Sequence, residues 1–78
     1  MRVRISDADL LGNLEGFLNA ADCRVRKVGK ATLDVTVPRA PSDDQAEREV
    51  GVYLQTWQAM HPGAYARIVG EASDDARN

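Results

Sequence analysis

Cys23, His61, the acids Asp43, Asp44, Glu47 and Glu49, and a set of arginines are the residues here with chemistry to offer. A thiol becomes a useful nucleophile when a base, a cation or a helix N-terminus lowers its pKa. Cys23 instead follows the C-terminal end of a predicted helix, and strand alternation turns Arg24 and Arg26 away from it. It is expected to be a buried small hydrophobe. His61 could act as a general acid or base. No second group is set beside it by spacing, so a helix C-cap or packing role is expected. The four acids lie in the first turns of a predicted helix, where carboxylates ordinarily meet the helix dipole. One cysteine and one histidine cannot complete a four-ligand metal site, and no disulfide can form within the chain. No P-loop, GxGxxG, GxSxG, HExxH or CxxC motif occurs. No catalytic residue, metal or cofactor is expected.

Positioning these groups falls to a short series of elements. Met1, Val3 and Ile5 alternate with Arg2 and Arg4, the period of a strand with one buried and one wet face. Ser6, with Asp9 three places on, predicts a helix N-cap. Leu10, Leu11, Leu14, Phe17, Leu18 and Ala21 then share one stripe, predicting an amphipathic helix that ends near Ala21. Cys23 and Val25, then Leu33, Val35 and Val37, return to a period of two around Gly29-Lys30 and predict a β-hairpin. A plain two-residue loop at Gly29-Lys30 would set Val25 opposite Asp34, on the wrong face. A bulge near Arg26-Lys27, or a three-residue loop, is needed to place Cys23 and Val25 beside Val35 and Leu33.

Pro38 to Pro41 reads as a connector, since two prolines in four residues cannot sustain strand pairing. Ser42 to Gln45 is a second capping box. Ala46, Val50, Tyr53, Leu54, Trp57, Met60 and His61 form the apolar stripe of a second helix, which Pro62-Gly63 closes. A last strand is predicted over 64–69. Residues 71–78, small and charged with no apolar anchor, are expected to form a disordered tail. Gly12 and Gly16 lie opposite the leucine stripe, where they either admit a close partner helix or are simply tolerated.

The order βαββαβ resembles the ferredoxin-like, or split βαβ, fold. That resemblance covers residues 1–70, one domain, and implies an α+β sandwich. A four-stranded antiparallel sheet would carry both helices on one face, with the first and third strands central. It implies no function, since many unrelated activities share this order. The stretch Tyr53-Leu54-Gln55-Thr56-Trp57-Gln58-Ala59-Met60-His61-Pro62-Gly63, within an Arg-, Ala- and Asp-rich composition, is similar to small uncharacterised proteins of high-GC, actinobacterial-type bacteria. That likeness implies a bacterial cytoplasmic setting and no site residues.

Alternation sorts the charges. Arg2, Arg4, Arg24, Arg26 and Arg67 are expected on the uncovered sheet face, together with Asp34, Tyr65 and Val69. Asp7, Asp9, Glu15, Asp22, Asp43, Asp44, Glu47 and Glu49 gather on the helices and their starts. The leading expectation is a non-enzymatic interaction or regulatory module that self-associates as a homodimer or takes a protein partner. Two sheets would meet face to face or along an edge, Asp34 of one copy facing an arginine of the other, with Tyr65 and Val69 in apolar contact. The alternative is a small anionic-ligand or phosphate-binding domain using the arginine-rich open face. A plain solvated face explains the same pattern in a chain with eight Arg and two Lys. An enzyme assembled across a dimer interface is a third reading. Nucleic acid is disfavoured, because no aromatic ring stands among the central outward positions Arg2, Arg4, Thr32, Asp34 and Thr36.

Length and composition agree. Seventy-eight residues, 44% apolar and 28% charged, with a net charge of −2, suit one small globular domain and no general polyanion binder. Apolar runs reach only two or three residues, so no membrane span is expected. Met1-Arg2-Val3-Arg4 is not followed by the apolar core of a signal peptide, and a cytoplasmic location is expected.

Overall fold

The computed structural model describes residues 1–69; the tail expected over 71–78 lies outside them. In chain order the elements are β1 (Arg2–Ile5), a 3₁₀ turn (Ala8–Leu10), α1 (Leu11–Ala20), β2 (Arg24–Gly29), β3 (Thr32–Thr36), α2 (Asp43–Met60) and β4 (Ala66–Val69). The fold is α+β. Its strands form one antiparallel sheet in the order β2-β3-β1-β4, with the helices between strands in sequence. The alternation in β1 explains its central place, since Val3 faces both Leu33 of β3 and Ile68 of β4 in register.

One core joins this sheet to both helices. Val3, Ile5, Leu33, Val35 and Ala66 enter it from the strands, Leu11, Leu14 and Leu18 from α1, and Val50, Leu54 and Trp57 from α2. Each such large aliphatic side chain contributes about 1.5–3 kcal/mol on leaving water. Met60 departs from the expected stripe and is 55% exposed. The next residue, His61, packs on Trp57. The His61 ring stacks on the indole at a centroid distance of 4.3 Å. The Trp57 carbonyl can only accept, so the 2.9 Å contact requires the proton on His61 Nδ1. The fully buried indole donates Nε1–H to Asn13 Oδ1 at 2.9 Å, which locks α2 to α1.

Local signals set the helix ends. The first cap is Asp7 rather than Ser6: the Asp7 carboxylate accepts from the Asp9 N–H, and the chain opens as a 3₁₀ turn before α1. Ser6 is drawn instead into the sheet, where its hydroxyl accepts from the Tyr65 N–H at 2.8 Å and its own N–H donates to the Tyr65 carbonyl. Ser42 caps α2 as expected, accepting from the Gln45 N–H. The Gln45 side chain turns to Glu49 rather than back to the cap, so only half of the reciprocal box forms.

At the other end of α1, the Asp22 N–H bonds to Asn19 O and the Cys23 N–H to Leu18 O, a Schellman closure. Asp22 holds the left-handed conformation there, with φ +68°, where glycine is usual. Arg39 pairs with its carboxylate at 2.7 Å and fastens the β3–α2 connector to this corner.

The hairpin carries its irregularity one or two places later than expected. Arg24, Val25, Arg26 and Lys27 pair with Thr36, Val35, Asp34 and Leu33, and Gly29 with Thr32, leaving Val28 as the extra residue. Val25 keeps the expected covered-side phase, but its partner is Val35. Leu33, however, faces Lys27 and not Val25 or Cys23, and Cys23 precedes the strand instead of opening it. On this edge Lys27 points to the helix side, its ammonium 3.9 Å from Glu15 of α1. Among the described residues no helix is long and apolar enough to cross a membrane.

Two stability outcomes follow from these helix positions. A Cβ built at Gly12 or Gly16 meets nothing within 4 Å. Gly12→Ala with Gly16→Ala should therefore raise the unfolding free energy by about 1–2 kcal/mol in urea titration. Asp22→Gly relieves a strained cap and loses only an exposed ion pair, so a gain of about 0.5–1 kcal/mol is expected from the same measurement.

Candidate functional site

Alternation along four paired strands fixes which side chains share the uncovered face. Register then arranges them in rows. Arg24 stands with Thr36 at one end. The next row runs Arg26, Asp34, Arg2, Val69 across the whole sheet. The third runs Gly29, Thr32, Arg4, Arg67. Tyr65, hydrogen-bonded to Ser6, continues the ladder one step further with its side chain 59% exposed. Arg2, Arg4, Arg24, Arg26, Asp34, Tyr65 and Arg67 thus lie on one side of the molecule. Facing side chains in such rows are about 5 Å apart at Cβ, and rows repeat about every 7 Å.

The charges of this face are unevenly compensated. Asp34 takes an ion pair from Arg26 at 3.4 Å and lies 3.5 Å from the Met1 ammonium. Arg4 and Arg67 face each other directly, and neither pairs with a carboxylate among the described residues. Like charges directly opposite one another on neighbouring strands destabilise a sheet. An anion bound between them would relieve that cost. Reading Arg4 beside Arg67 depends on the β1–β4 register, which spans most of the chain and has no local signature. Gly29 at the end of the same row has no signature either, because a glycine next to a turn reads simply as part of the turn.

The other candidates have structural work. Cys23 is 5% exposed and follows the Schellman closure. Burial pushes its thiol pKa up from the ordinary 9.0, and the Glu49 and Asp22 carboxylates push it further. His61 terminates α2 and packs on Trp57, and Asp43 and Asp44 occupy the first turn of α2. Among the described residues no three His, Cys, Asp or Glu side chains gather as metal ligands would. A hollow of about 300 Å³ lies between Met1, Val35, Val37, Pro41 and Ala46, at the side of the sheet away from the Arg4–Arg67 row.

Because the folded state holds the Cys23 proton to higher pH than the unfolded chain does, its share of stability is complete below about pH 9 and declines as pH rises above that. In urea titrations between pH 7 and 10.5, Cys23→Ala should lack this alkaline loss. The native thiol should also resist an aromatic disulfide reagent at neutral pH and react only on unfolding.

Comparison with family models, curated proteins and solved structures returns no match and gives no support to the actinobacterial-type likeness of residues 53–63.

Proposed function

We propose that this chain is a small non-enzymatic binding module, built on a ferredoxin-like frame, whose open sheet face takes an anionic partner. The observation that carries this reading is that, among the described residues, five arginines stand against one carboxylate on that face, and Arg26 already holds that carboxylate. A wet strand face needs polar side chains, but it does not need one sign of charge. Guanidinium groups present several donors in a fixed fork, which suits oxyanions on a ligand or a protein surface. Aromatic stacking platforms are missing from the central rows, which favours an acidic ligand or protein over RNA.

Self-association is a second reading, favoured by the complementary charge of the two layers. Asp34 is engaged within its own chain, so two arginine faces laid together would repel. The acidic helices of one copy against the arginine face of another would attract instead, a head-to-tail contact.

A thermal-shift series with phosphate, carboxylates and nucleotides at constant ionic strength tests the main reading. At tenfold the Kd a bound anion adds about 1.4 kcal/mol, a rise of several degrees for a domain this small. Arg2→Glu with Arg4→Glu should abolish the rise, and added salt should diminish it. A melting point indifferent to every anion would refute the reading. Light scattering over a concentration series decides the second: a strict 8.5 kDa monomer at high micromolar concentration excludes it.

A further inference from the structure

We infer that recognition is confined to one half of the open face: Arg4 and Arg67, with Thr32 and Tyr65 beside them, form a subsite for a phosphate monoester dianion. This rests on the anion-binding reading above and narrows it to a place and a ligand class. The two halves differ in what already occupies their guanidinium groups. In the Arg26–Asp34–Arg2 row an internal carboxylate stands between two arginines and meets the needs of one of them. In the Arg4–Arg67 row no acid stands among the described residues, and the two arginines are direct neighbours in register.

Two arginines paired across neighbouring strands bring two positive charges within reach of one ligand. A single carboxylate would leave one of them uncompensated. A phosphate monoester carries up to two negative charges at neutral pH, and its tetrahedral oxygens can accept from both forks at once. Thr32, in register with Arg4, offers a hydroxyl donor on the side away from Arg67. Gly29 closes the row without a side chain. An added Cβ there would meet only Thr32, at 3.6 and 3.7 Å, and the backbone does not hold positive φ, so neither packing nor conformation demands glycine. At the far end the exposed Tyr65 ring projects two residues from Arg67 on the same side of the strand. It gives the organic part of a monoester an apolar surface to lie on.

The test uses the full chain and phenyl phosphate, with inorganic phosphate and acetate as companions, at constant ionic strength and pH 7.5. Binding is followed by shifts of arginine side-chain and backbone amide signals in NMR spectra. Phenyl phosphate should bind at least tenfold more weakly to Arg4→Gln/Arg67→Gln and less than threefold more weakly to Arg24→Gln/Arg26→Gln. Acetate should bind the parent chain at least tenfold more weakly than phenyl phosphate. All four positions are exposed, so both variants should keep the parent's dispersed spectrum. Equal losses in the two variants, or a larger loss in Arg24→Gln/Arg26→Gln, would overturn the subsite while leaving the anion-binding face intact. Acetate binding as tightly as phenyl phosphate would overturn the phosphate class alone. Absence of binding by all three anions, with no thermal stabilisation, would remove both the subsite and the reading beneath it.

Discussion

Pairing of β1 with antiparallel neighbours on both sides is the constraint on which the rest of this molecule depends. It sets Val3 between Leu33 and Ile68 on the dry side, giving the helices a continuous apolar surface to cover. The same hydrogen bonds set Arg2 opposite Asp34 and Arg4 opposite Arg67 on the wet side. A shift of one residue would exchange the two sides and bury the guanidinium groups. Core and charge pattern are therefore two outcomes of one register, and selection on either restricts the other.

The covered side is stabilised by shape, with one directional bond at its centre. Trp57 is the largest fully buried side chain, and its indole N–H would be costly to leave unpaired. Asn13 meets that need from α1, and His61 closes over the ring from the end of α2. Two helices with few other direct contacts are thereby held at a fixed relation. On α2, Asp43, Asp44 and Glu47 stay exposed, with Arg48 exposed beside them.

Much of this arrangement was legible in the sequence because it obeys short periods. The two-residue rhythm of Arg2 to Ile5 and of Thr32 to Val37 located the strands and sorted their charges. The Leu11, Leu14 and Leu18 stripe and the Ser42 cap located the helices. What escaped was decided by groups distant in sequence. Ser6 looked like a cap, but the start of β4 recruited its hydroxyl and left the turn to Asp7. Phase arguments required an irregularity in the hairpin, yet could not choose Val28 over its neighbours, since only the completed pairing shows which residue lacks an opposite. Met60 matched the helical stripe, but periodicity does not reveal which stripe positions the fold leaves uncovered. The pairing of Arg4 with Arg67 escaped for the same reason: sixty-three residues separate them, and no pattern in either segment names the other.

The hairpin irregularity has a consequence for how this sheet meets other backbones. β2 is an edge strand, whose unpaired amides and carbonyls could in principle template a further strand from another molecule. An incoming strand would find Val28 out of step and would have to strip water from the Lys27 ammonium, which lies over that margin beside Glu15. On this side, growth of the sheet into a fibre-like stack is discouraged by one surplus residue and one inward-leaning cation.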